Sequence, residues 1–394
     1  MFELTGQQRE AANAFTHWWN NKSSRKRNFF ELSGPPGSGK STIVSHIIRE
    51  LRLDQDAVAY VAYTGKAALN LILKDCPTKT IHSLLYELRF EDKLDENDEP
   101  IVRKGKVVRT AVFKKRKFID PGIELIVIDE GSMINKKMGE ELLSFDIPIF
   151  ILGDIDQLKP IFGESFFLQS PDVILTEILR QRADDPIIKL SQLILNNKNI
   201  PMGQLGPRCN IIRKESLTNE MLMDADIIIC GKNATRAQIN THIRERIYGR
   251  KAKTLVVGDK IIVRRNNWAI IIDENISLIN GLIGYVTHIH TETHNTKQRS
   301  IEIDFRPDFT DMEFYNIKID LAFLYGEKEI ERFGFMKSEL NLIEYGNAIT
   351  CHVAQGSEYD SVLIYDEPMG TYENHKRWRH TAVSRAKKNL IFAV

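Results

Sequence analysis

The sequence is poor in the features that mark several classes of protein. Its four cysteines lie far apart and form no C-x-x-C pair, which argues against a disulfide framework or a zinc site and suits a reducing compartment. With Gly 23 and Pro 13 in 394 residues, the chain is neither collagen-like nor of low complexity. No apolar run approaches the ~18 residues of a membrane span, and the first residues resemble no signal peptide. We therefore expect a cytoplasmic protein without a membrane partner.

An excess of charge of either sign is also missing. Lys+Arg 54 against Asp+Glu 53 leaves a formal net charge of +1 and a pI near 7.7, whereas a nucleic-acid-binding domain commonly has a pI above about 9. This neutrality is a cancellation, because six acids lie within residues 91–99 while residues 101–119 hold eight basic side chains and no acid. Residues 376–388 hold six more basic side chains and no acid. The pattern permits localised contact with a polyanion.

Short apolar runs bounded by turn residues predict buried strands along the chain. Continuous runs of this kind are typical of a parallel sheet covered on both faces. Helical stretches lie between many of them, so the pattern predicts an α/β fold with two sheets. The predicted strands are 29–32, 58–62, 125–128, 149–152, 227–230, 348–351, 362–365 and 390–394. Two regions break the pattern: a polar hairpin with its turn near residues 97–100, and a small β region at about 266–345.

A phosphate-binding motif lies between the first predicted strand and a predicted helix. Residues 34–41 read GPPGSGKS, which matches the pattern G-x-x-x-x-G-K-[ST]. Glycines let backbone N–H groups point at phosphate oxygens, at a helix N-terminus that already favours anions. Lys40 is then placed to reach the β- and γ-phosphates, and Ser41 to ligate Mg²⁺.

Two later strands end in polar residues that suit the same chemistry. The strand at 125–128 runs into Asp129, which fits the Mg²⁺-binding acid of a P-loop enzyme, and Glu130, which is placed to orient or deprotonate a water. A second carboxylate beside the metal favours hydrolysis over transfer to a substrate. Residues 153–160 read GDIDQLKP, in which Gln157 is placed to sense the γ-phosphate, with a polar β-turn as the alternative.

The ordered motifs resemble those of superfamily 1 DNA helicases, in the RecD/Dda-like branch that usually moves 5′ to 3′. The likeness covers nearly the whole chain. Besides the P-loop it includes LTGQQ at 4–8, AYTGKAA at 62–68, TIHS at 80–83, DEGS at 129–132, GDIDQLKP at 153–160, LTEILRQ at 175–181, GDK to RNN at 258–267, NGLIG at 280–284, AITCHVAQGSE at 348–358 and TAVSRA at 381–386.

The resemblance implies two RecA-like P-loop motor domains built on parallel sheets. The first is expected at residues 1–190, with an inserted pin subdomain at about 84–120. The second is expected at 191–265 and 346–394, interrupted by an SH3-like β insertion at 266–345.

The resemblance also implies roles for individual residues. The catalytic set is Lys40, Asp129, Glu130, Gln157 and the proposed arginine fingers Arg180 and Arg385, with Ser41 and Asp129 on the metal. The nucleotide-binding set is Gln8, which would read adenine, with Gly34, Pro35, Gly37, Ser38, Gly39, Lys40, Ser41, Thr42, Gly356 and Glu358. The DNA-binding set is Thr64, Gly65, Lys66, His82, Ser83, Phe113, Asn266, Asn267, Thr350, His352, Gln355 and Ser357. Hydroxyls, amides and backbone N–H groups suit phosphate contact that ignores base sequence.

Some positions depart from the family's pattern. Gly131 follows Asp-Glu where Ala or Val is commoner, and Tyr63 replaces a Pro. Val353 and Ala354 stand where Lys and Ser are common, which weakens the case for a DNA or phosphate contact there. The basic hairpin lies where the family carries its strand-separating pin, and Phe113 or Phe118 is placed to stack on a base. A solvated hairpin without that role is the alternative.

The sequence therefore predicts an ATP-dependent, Mg²⁺-requiring DNA helicase or translocase. We expect a monomer in a bacterial or phage-infected cell, acting on single-stranded and forked duplex DNA, with replication or recombination proteins as partners. One alternative is a DNA-dependent ATPase subunit without unwinding activity. The other is a P-loop phosphotransferase, which would leave Arg385 and the second sheet unexplained.

Overall fold

The computed structural model describes residues 4–72, 76–92, 99–100, 102–103, 106–107, 109–159, 164–177, 185–273, 276–290, 300–327 and 340–394. The chain divides into two compact units. The first consists of Met1–Lys79, Pro121–Leu255 and Tyr345–Val394, and the second of Thr80–Asp120 and Val256–Glu344. Within the described ranges, no helix is both long and apolar enough to cross a membrane.

The first unit contains two six-stranded sheets. The strand order of the first sheet is Val173–Ile174, Phe29–Ser33, Ile149–Gly153, Leu125–Asp129, Val58–Ala62 and Thr78–Thr80. The pairings from Val173–Ile174 through Val58–Ala62 are parallel. Buried apolar side chains fill the central strand Leu125–Asp129, as a strand covered on both faces requires.

Two helices, Gly6–Asn20 and Lys40–Glu50, share one hydrophobic core with this sheet. Phe15 packs on Phe150 with their ring centroids 4.4 Å apart. The helix Gly6–Asn20 begins with a capping box, in which Thr5 and Gln8 satisfy each other's backbone N–H groups. Gly65–Ile72 and Lys136–Leu143 are further α-helices of this region, and Lys22–Ser24, Gln55–Ala57 and Gly131–Met133 are short 3₁₀ turns.

The second sheet has the strand order Gly203–Gly206, Cys209–Ile212, Ala386–Ala393, Tyr359–Tyr365, Ile227–Cys230 and Ala348–Thr350. Its pairings are parallel except that of Gly203–Gly206, which is antiparallel. Its helices are Pro186–Leu195, Asn219–Asp224, Asn233–Tyr248, Cys351–Ala354 and Tyr372–Val383, with 3₁₀ turns at Lys214–Ser216 and Gly249–Lys253. The two largely parallel sheets confirm the predicted α/β fold class.

The second unit is mainly antiparallel. Its five-stranded sheet has the order Phe314–Asp320, Ser300–Pro307, Ile283–His290, Lys260–Val263 and Ile343–Tyr345. Three two-stranded pairs accompany it: Tyr86–Asp92 with Arg109–Lys115, Val102–Arg103 with Lys106–Val107, and Asn267–Asp273 with Ile276–Leu278. Short helices lie at Ile81–Leu85 and Leu321–Leu324. The predicted hairpin turn near 97–100 lies partly outside the described residues.

Candidate nucleotide-binding site

The phosphate-binding loop follows the strand Phe29–Ser33 and leads directly into the helix Lys40–Glu50. Gly37 and Gly39 have φ angles of 83° and 81°, in the left-handed region that glycine adopts without strain. A Cβ on Gly34 would lie 2.8 Å from Ser38 Oγ and 2.9 Å from the Leu175 Cβ. The loop is therefore too tightly curled for side chains at these positions. Such a curl directs backbone N–H groups inward at the start of a helix, which creates an anion-binding concavity.

Lys40 and Gln8 both bond to this loop. The Lys40 ammonium donates to the carbonyls of Gly34 at 2.7 Å and Pro35 at 3.2 Å. These are neutral acceptors, and a phosphate oxygen would accept a stronger, charge-assisted bond. Gln8 is only 4% exposed and donates from Nε2 to the Ser38 carbonyl at 3.1 Å. The capping box at the start of the helix Gly6–Asn20 thus places the Gln8 side chain against the phosphate-binding loop.

An oxygen donor set suited to Mg²⁺ begins at the same loop. Ser41 and Thr42 lie exposed in the first turn of the helix Lys40–Glu50. Asp129 ends the strand Leu125–Asp129 and is partly buried. One hydroxyl and one carboxylate, completed by phosphate and water oxygens, is the kind of coordination that Mg²⁺ prefers. These residues fit the metal that the motif implies.

Glu130 has an unusual backbone conformation and a perturbed carboxyl group. Its φ angle is 57°, which is uncommon for a residue with a side chain, and its N–H donates to Asp129 Oδ1 at 3.0 Å. Desolvation, followed by the charge of Asp129, raises the pKa of Glu130 to about 7, against the opposing influence of Arg385 and Lys40. Strained backbone and a carboxyl poised near neutral pH are both typical of catalytic groups.

The glycine after these acids has a packing reason. A Cβ on Gly131 would lie 2.3 Å from Ile151 Cγ2, a side chain fully buried in the neighbouring strand. The alanine or valine that is commoner after Asp-Glu has no room at this position. The departure from the family's pattern is therefore a local fit between Gly131 and Ile151.

The loop that carries Gln157 is held by residues of the second sheet's layer. Gln157 is 4% exposed. The Leu158 N–H donates to Thr381 Oγ1 at 2.9 Å, and Gln355 Nε2 donates to the Leu158 carbonyl at 3.2 Å. Arg377 donates to the carbonyls of Ile155 and Gln157. Both sheets therefore contribute to the arrangement of this loop.

Arg385 lies two residues beyond the helix Tyr372–Val383. It is 3% exposed and donates to the Thr381 carbonyl at 3.0 Å, the Ser357 carbonyl at 3.3 Å and Ser384 Oγ at 2.9 Å. Its charge opposes the rise in the pKa of Glu130. The structure thus brings the second-sheet arginine into the electrostatic environment of Glu130. Arg180 lies outside the described residues, so its predicted role stays a prediction.

Several residues predicted to bind DNA are buried in the first unit. Thr64 Oγ1 accepts from the Ala67 N–H at 3.1 Å and thereby caps the helix Gly65–Ile72. Lys66, Thr350, Gln355 and Ser357 are all buried, and burial lowers the pKa of the half-buried His352. The predicted nucleotide-binding residues Gly356 and Glu358 lie in the same stretch, residues 350–358. Gly356 has a φ of 73°, and Glu358 Oε2 lies 3.6 Å from Lys387 Nζ. Direct contact between DNA and these residues stays a prediction.

The remaining DNA-binding candidates belong to the second unit. His82 is exposed and its ring lies 5.9 Å from that of Tyr86, while Ser83 bonds to Thr80. Phe113 is 54% exposed on the strand Arg109–Lys115. The side chains of Asn266 and Asn267 form hydrogen bonds within the second unit. Asn266 Oδ1 accepts from the Asn280 N–H at 2.7 Å, and Asn267 Nδ2 donates to Asn341 Oδ1 at 2.9 Å.

Sequence reasoning missed two residues close to the site. Asp154 directly follows the strand Ile149–Gly153, and His380 lies in the helix Tyr372–Val383. Both are buried, and His380 Nε2 lies 3.0 Å from Asp154 Oδ2. The signal for Asp154 was an acid placed directly after an apolar strand, inside a motif already noted for its glutamine. Nothing in the sequence pairs that acid with a histidine 226 positions away.

Comparison with known proteins adds two family matches and several distant relatives. A family model described as an AAA domain matches residues 3–205, and one described as a UvrD-like helicase C-terminal domain matches residues 345–393. An uncharacterized protein, MJ1519, of Methanocaldococcus jannaschii is 25% identical over 92% of this chain and 36% of its own length. The ATP-dependent RecD2 DNA helicase of Deinococcus radiodurans is 23% identical over 92% of this chain and 46% of its own length. The chain thus spans about a third to a half of the length of these two relatives.

A solved structure supports the fold. The Pif1 helicase from Bacteroides, in complex with ADP-AlF3 and ssDNA, is 18% identical, covers 100% of this chain and 93% of its own, and has a TM-score of 0.56. At this identity the likeness establishes the fold alone. The two family matches, in this order along one chain, and the RecD2 relative confirm the predicted resemblance to RecD-like superfamily 1 helicases.

Proposed function

The chain belongs to the AAA domain family, and on that premise we propose that it is an ATP-dependent DNA helicase that moves along single-stranded DNA. One observation carries the proposal. The second sheet's layer bonds to the loop that follows a strand of the first sheet, and Lys40 and Arg385, which belong to different layers, both act to lower the pKa of Glu130. A nucleotide site that draws charges from two sheets couples hydrolysis to their relative movement, whereas a simple phosphotransferase needs one sheet and a substrate pocket.

The residues of this chain divide the hydrolytic step between them. The loop N–H groups and Lys40 would hold the β- and γ-phosphates, and Ser41 and Asp129 would hold Mg²⁺, which would neutralise phosphate charge. Glu130 takes the proton of the attacking water, and its pKa of about 7 makes it an effective base at neutral pH. Arg385 stabilises the charge that develops on the γ-phosphate, a contribution worth about 10³–10⁵ in rate in related chemistry.

The same contacts tie the relative motion of the two sheets to the state of the nucleotide. Because Arg385 meets the γ-phosphate only when ATP is bound, ATP favours one arrangement of the sheets and hydrolysis releases it. We propose that Thr64, Lys66, Thr350, His352 and Ser357 contact the single strand in one or the other arrangement. The proposed direction, 5′ to 3′, is taken from the resemblance. Forked duplex DNA as substrate, a monomeric active form, a cytoplasmic location, and replication or recombination proteins as partners belong to the same proposal.

The activities and ligands of two similar proteins support this assignment. The D. radiodurans relative is an ATP-dependent DNA helicase, and the Bacteroides Pif1 helicase binds ADP-AlF3 and ssDNA in one structure. The pin role of Phe113 is part of the proposal, because an exposed aromatic ring can stack on a base at a duplex junction.

The test measures ATP hydrolysis with and without single-stranded DNA, followed by unwinding of matched duplexes with a 5′ or a 3′ tail. We expect DNA to stimulate phosphate release and the 5′-tailed duplex to be unwound. Lys40→Ala should abolish both activities, whereas the control Lys136→Ala, on an 80% exposed side chain, should retain them.

Three outcomes contradict the proposal. ATP turnover that ignores DNA removes the motor assignment. DNA-stimulated turnover without unwinding of either duplex favours the ATPase subunit. Formation of ADP without release of inorganic phosphate indicates a phosphotransferase.

A further inference from the structure

One buried histidine joins three segments of the first unit. His380 is 1% exposed, and both of its ring nitrogens are engaged. Nε2 lies 3.0 Å from Asp154 Oδ2, and Nδ1 lies 2.8 Å from Ser191 Oγ. Asp154 follows a strand of the first sheet, whereas His380 and Ser191 lie on helices of the second sheet's layer, Tyr372–Val383 and Pro186–Leu195. A single side chain therefore links the first sheet to two helices of the other layer.

The chemistry of this link differs from that of the contacts around it. Thr381, Gln355 and Arg377 bond to backbone groups of residues 155–158. The His380 bond instead ends on a carboxylate, which accepts only, so Nε2 carries the proton. A hydrogen bond to a charged group is worth roughly twice a neutral one. The Asp154–His380 contact is therefore a strong link between the loop and the helix, and it differs from the Arg377 bonds in depending on the charge of a carboxylate within the loop.

Asp154 also bonds to the loop that follows it and is affected by the charge of the P-loop lysine. Its second oxygen, Oδ1, accepts from the Asp156 N–H at 2.9 Å and so shapes the turn that leads to Gln157. Burial works to raise the pKa of Asp154, but the hydrogen bond and charge of His380, with the charge of Lys40, bring it below the usual value. The carboxylate is thus ionised and lies in the field of Lys40. A phosphate bound by Lys40 changes that field, which gives the two nucleotide states a different interaction energy at Asp154.

We propose that Asp154, His380 and Ser191 form a cross-sheet latch that transmits nucleotide occupancy from the P-loop to the helix Pro186–Leu195. His380 is a positioning residue in this scheme, because it acts through Asp154 and Ser191, the partners of its two ring nitrogens. The inference rests on the proposed motor function. It adds a specific coupling element, so loss of the latch should leave basal ATP hydrolysis in place and uncouple it from DNA.

The experiment uses the full chain and three variants of the latch. His380→Phe removes both ring hydrogen bonds, His380→Gln keeps a donor toward Asp154, and Ser191→Ala removes the outer bond only. The readouts are the factor by which an oligo-dT strand stimulates ATP hydrolysis, the KM and kcat for ATP without DNA, and base pairs unwound per ATP on a 5′-tailed fork.

His375 provides a matched control on the same helix. His375 Nε2 lies 2.8 Å from Asp366 Oδ1, so it forms a similar histidine–aspartate contact within the second layer. His375→Phe removes that contact without touching the first sheet's loop. It also reports how well the helix tolerates a phenylalanine in place of a histidine.

We expect His380→Phe to lower the DNA stimulation factor about tenfold, which corresponds to roughly 1.4 kcal/mol, with kcat without DNA within about twofold of wild type. His380→Gln should recover most of the stimulation, Ser191→Ala should lose part of it, and His375→Phe should keep it. If His380→Phe does not fold, His380→Gln and Ser191→Ala provide the test. The DNA stimulation factor should then be lower in Ser191→Ala than in His380→Gln.

Two results overturn the latch while leaving the motor intact. One is a wild-type stimulation factor in every latch variant, and the other is an equal loss in His380→Phe and His375→Phe. Absence of DNA stimulation in the wild-type protein is a different result, because it overturns the proposed function itself.

Discussion

Replacement of Glu130 by Gln should stabilise the folded protein above neutral pH. In the folded chain, desolvation and the charge of Asp129 raise the pKa of Glu130 from 4.5 to about 7. A carboxyl group with a raised pKa binds more protons in the folded than in the unfolded state between those two values. The free energy of unfolding therefore falls as pH rises through this window. Glutamine keeps the shape of the side chain and cannot ionise, so the variant avoids this loss.

The size of the effect follows from the two pKa values. The difference between 4.5 and about 7 corresponds to roughly 3 kcal/mol once Glu130 is fully ionised, at pH 8. At pH 5 the folded carboxyl is still protonated, and the same relation gives less than about 1 kcal/mol. The gain from Glu130→Gln should therefore be large at pH 8 and small at pH 5, although the substitution removes the proposed catalytic base.

The assay is thermal unfolding without nucleotide at pH 5 and pH 8. The control is Glu140→Gln, on a side chain that is 58% exposed in the helix Lys136–Leu143. We expect Glu130→Gln to raise the apparent Tm by several degrees at pH 8, to change it little at pH 5, and to abolish ATP hydrolysis. No gain at pH 8, or an equal gain at both pH values, would refute the argument that Glu130 is a destabilised carboxylate.

Two further predictions concern glycines of the site. Gly131→Ala should lower the free energy of unfolding by about 1–3 kcal/mol in denaturant, because its Cβ would lie 2.3 Å from Ile151 Cγ2 in a packed core. The control is Gly6→Ala, which has open space around the Cβ, and equal stability of the two variants would contradict the reasoning. Gly34→Ala should weaken binding of a fluorescent ADP analogue about tenfold, because the Cβ would push on Ser38 and Leu175 and deform the phosphate-binding loop. Unchanged affinity would show that the loop tolerates the side chain.

The sequence predicts those parts of the fold that depend on local patterns. Continuous apolar runs predict the central strands of both sheets, because a strand buried on both faces carries apolar side chains on both sides and does not alternate them with polar ones. The P-loop was equally local, since its glycines and Lys40 adjoin one another along the chain. The burial of Gln355 was not predictable in this way. Its partner Leu158 lies 197 positions away, and only the packing of one sheet's layer against the other brings them together.

The helix Tyr372–Val383 connects the proposed arginine finger to the loop that carries Gln157. Arg377, His380 and Thr381 lie at i, i+3 and i+4, so one face of this helix holds the loop that follows Ile149–Gly153. The chain then reaches Arg385, whose side chain bonds back to the Thr381 carbonyl. Any movement of Arg385 toward a phosphate must therefore displace Thr381 or break that bond. Displacement of Thr381 changes its hydrogen bond with the Leu158 N–H, and through that bond the position of the loop that carries Gln157. On the proposed motor function, this helix, with an arginine beyond its end and a loop on its face, is the element that links phosphate binding to movement of one sheet's layer against the other.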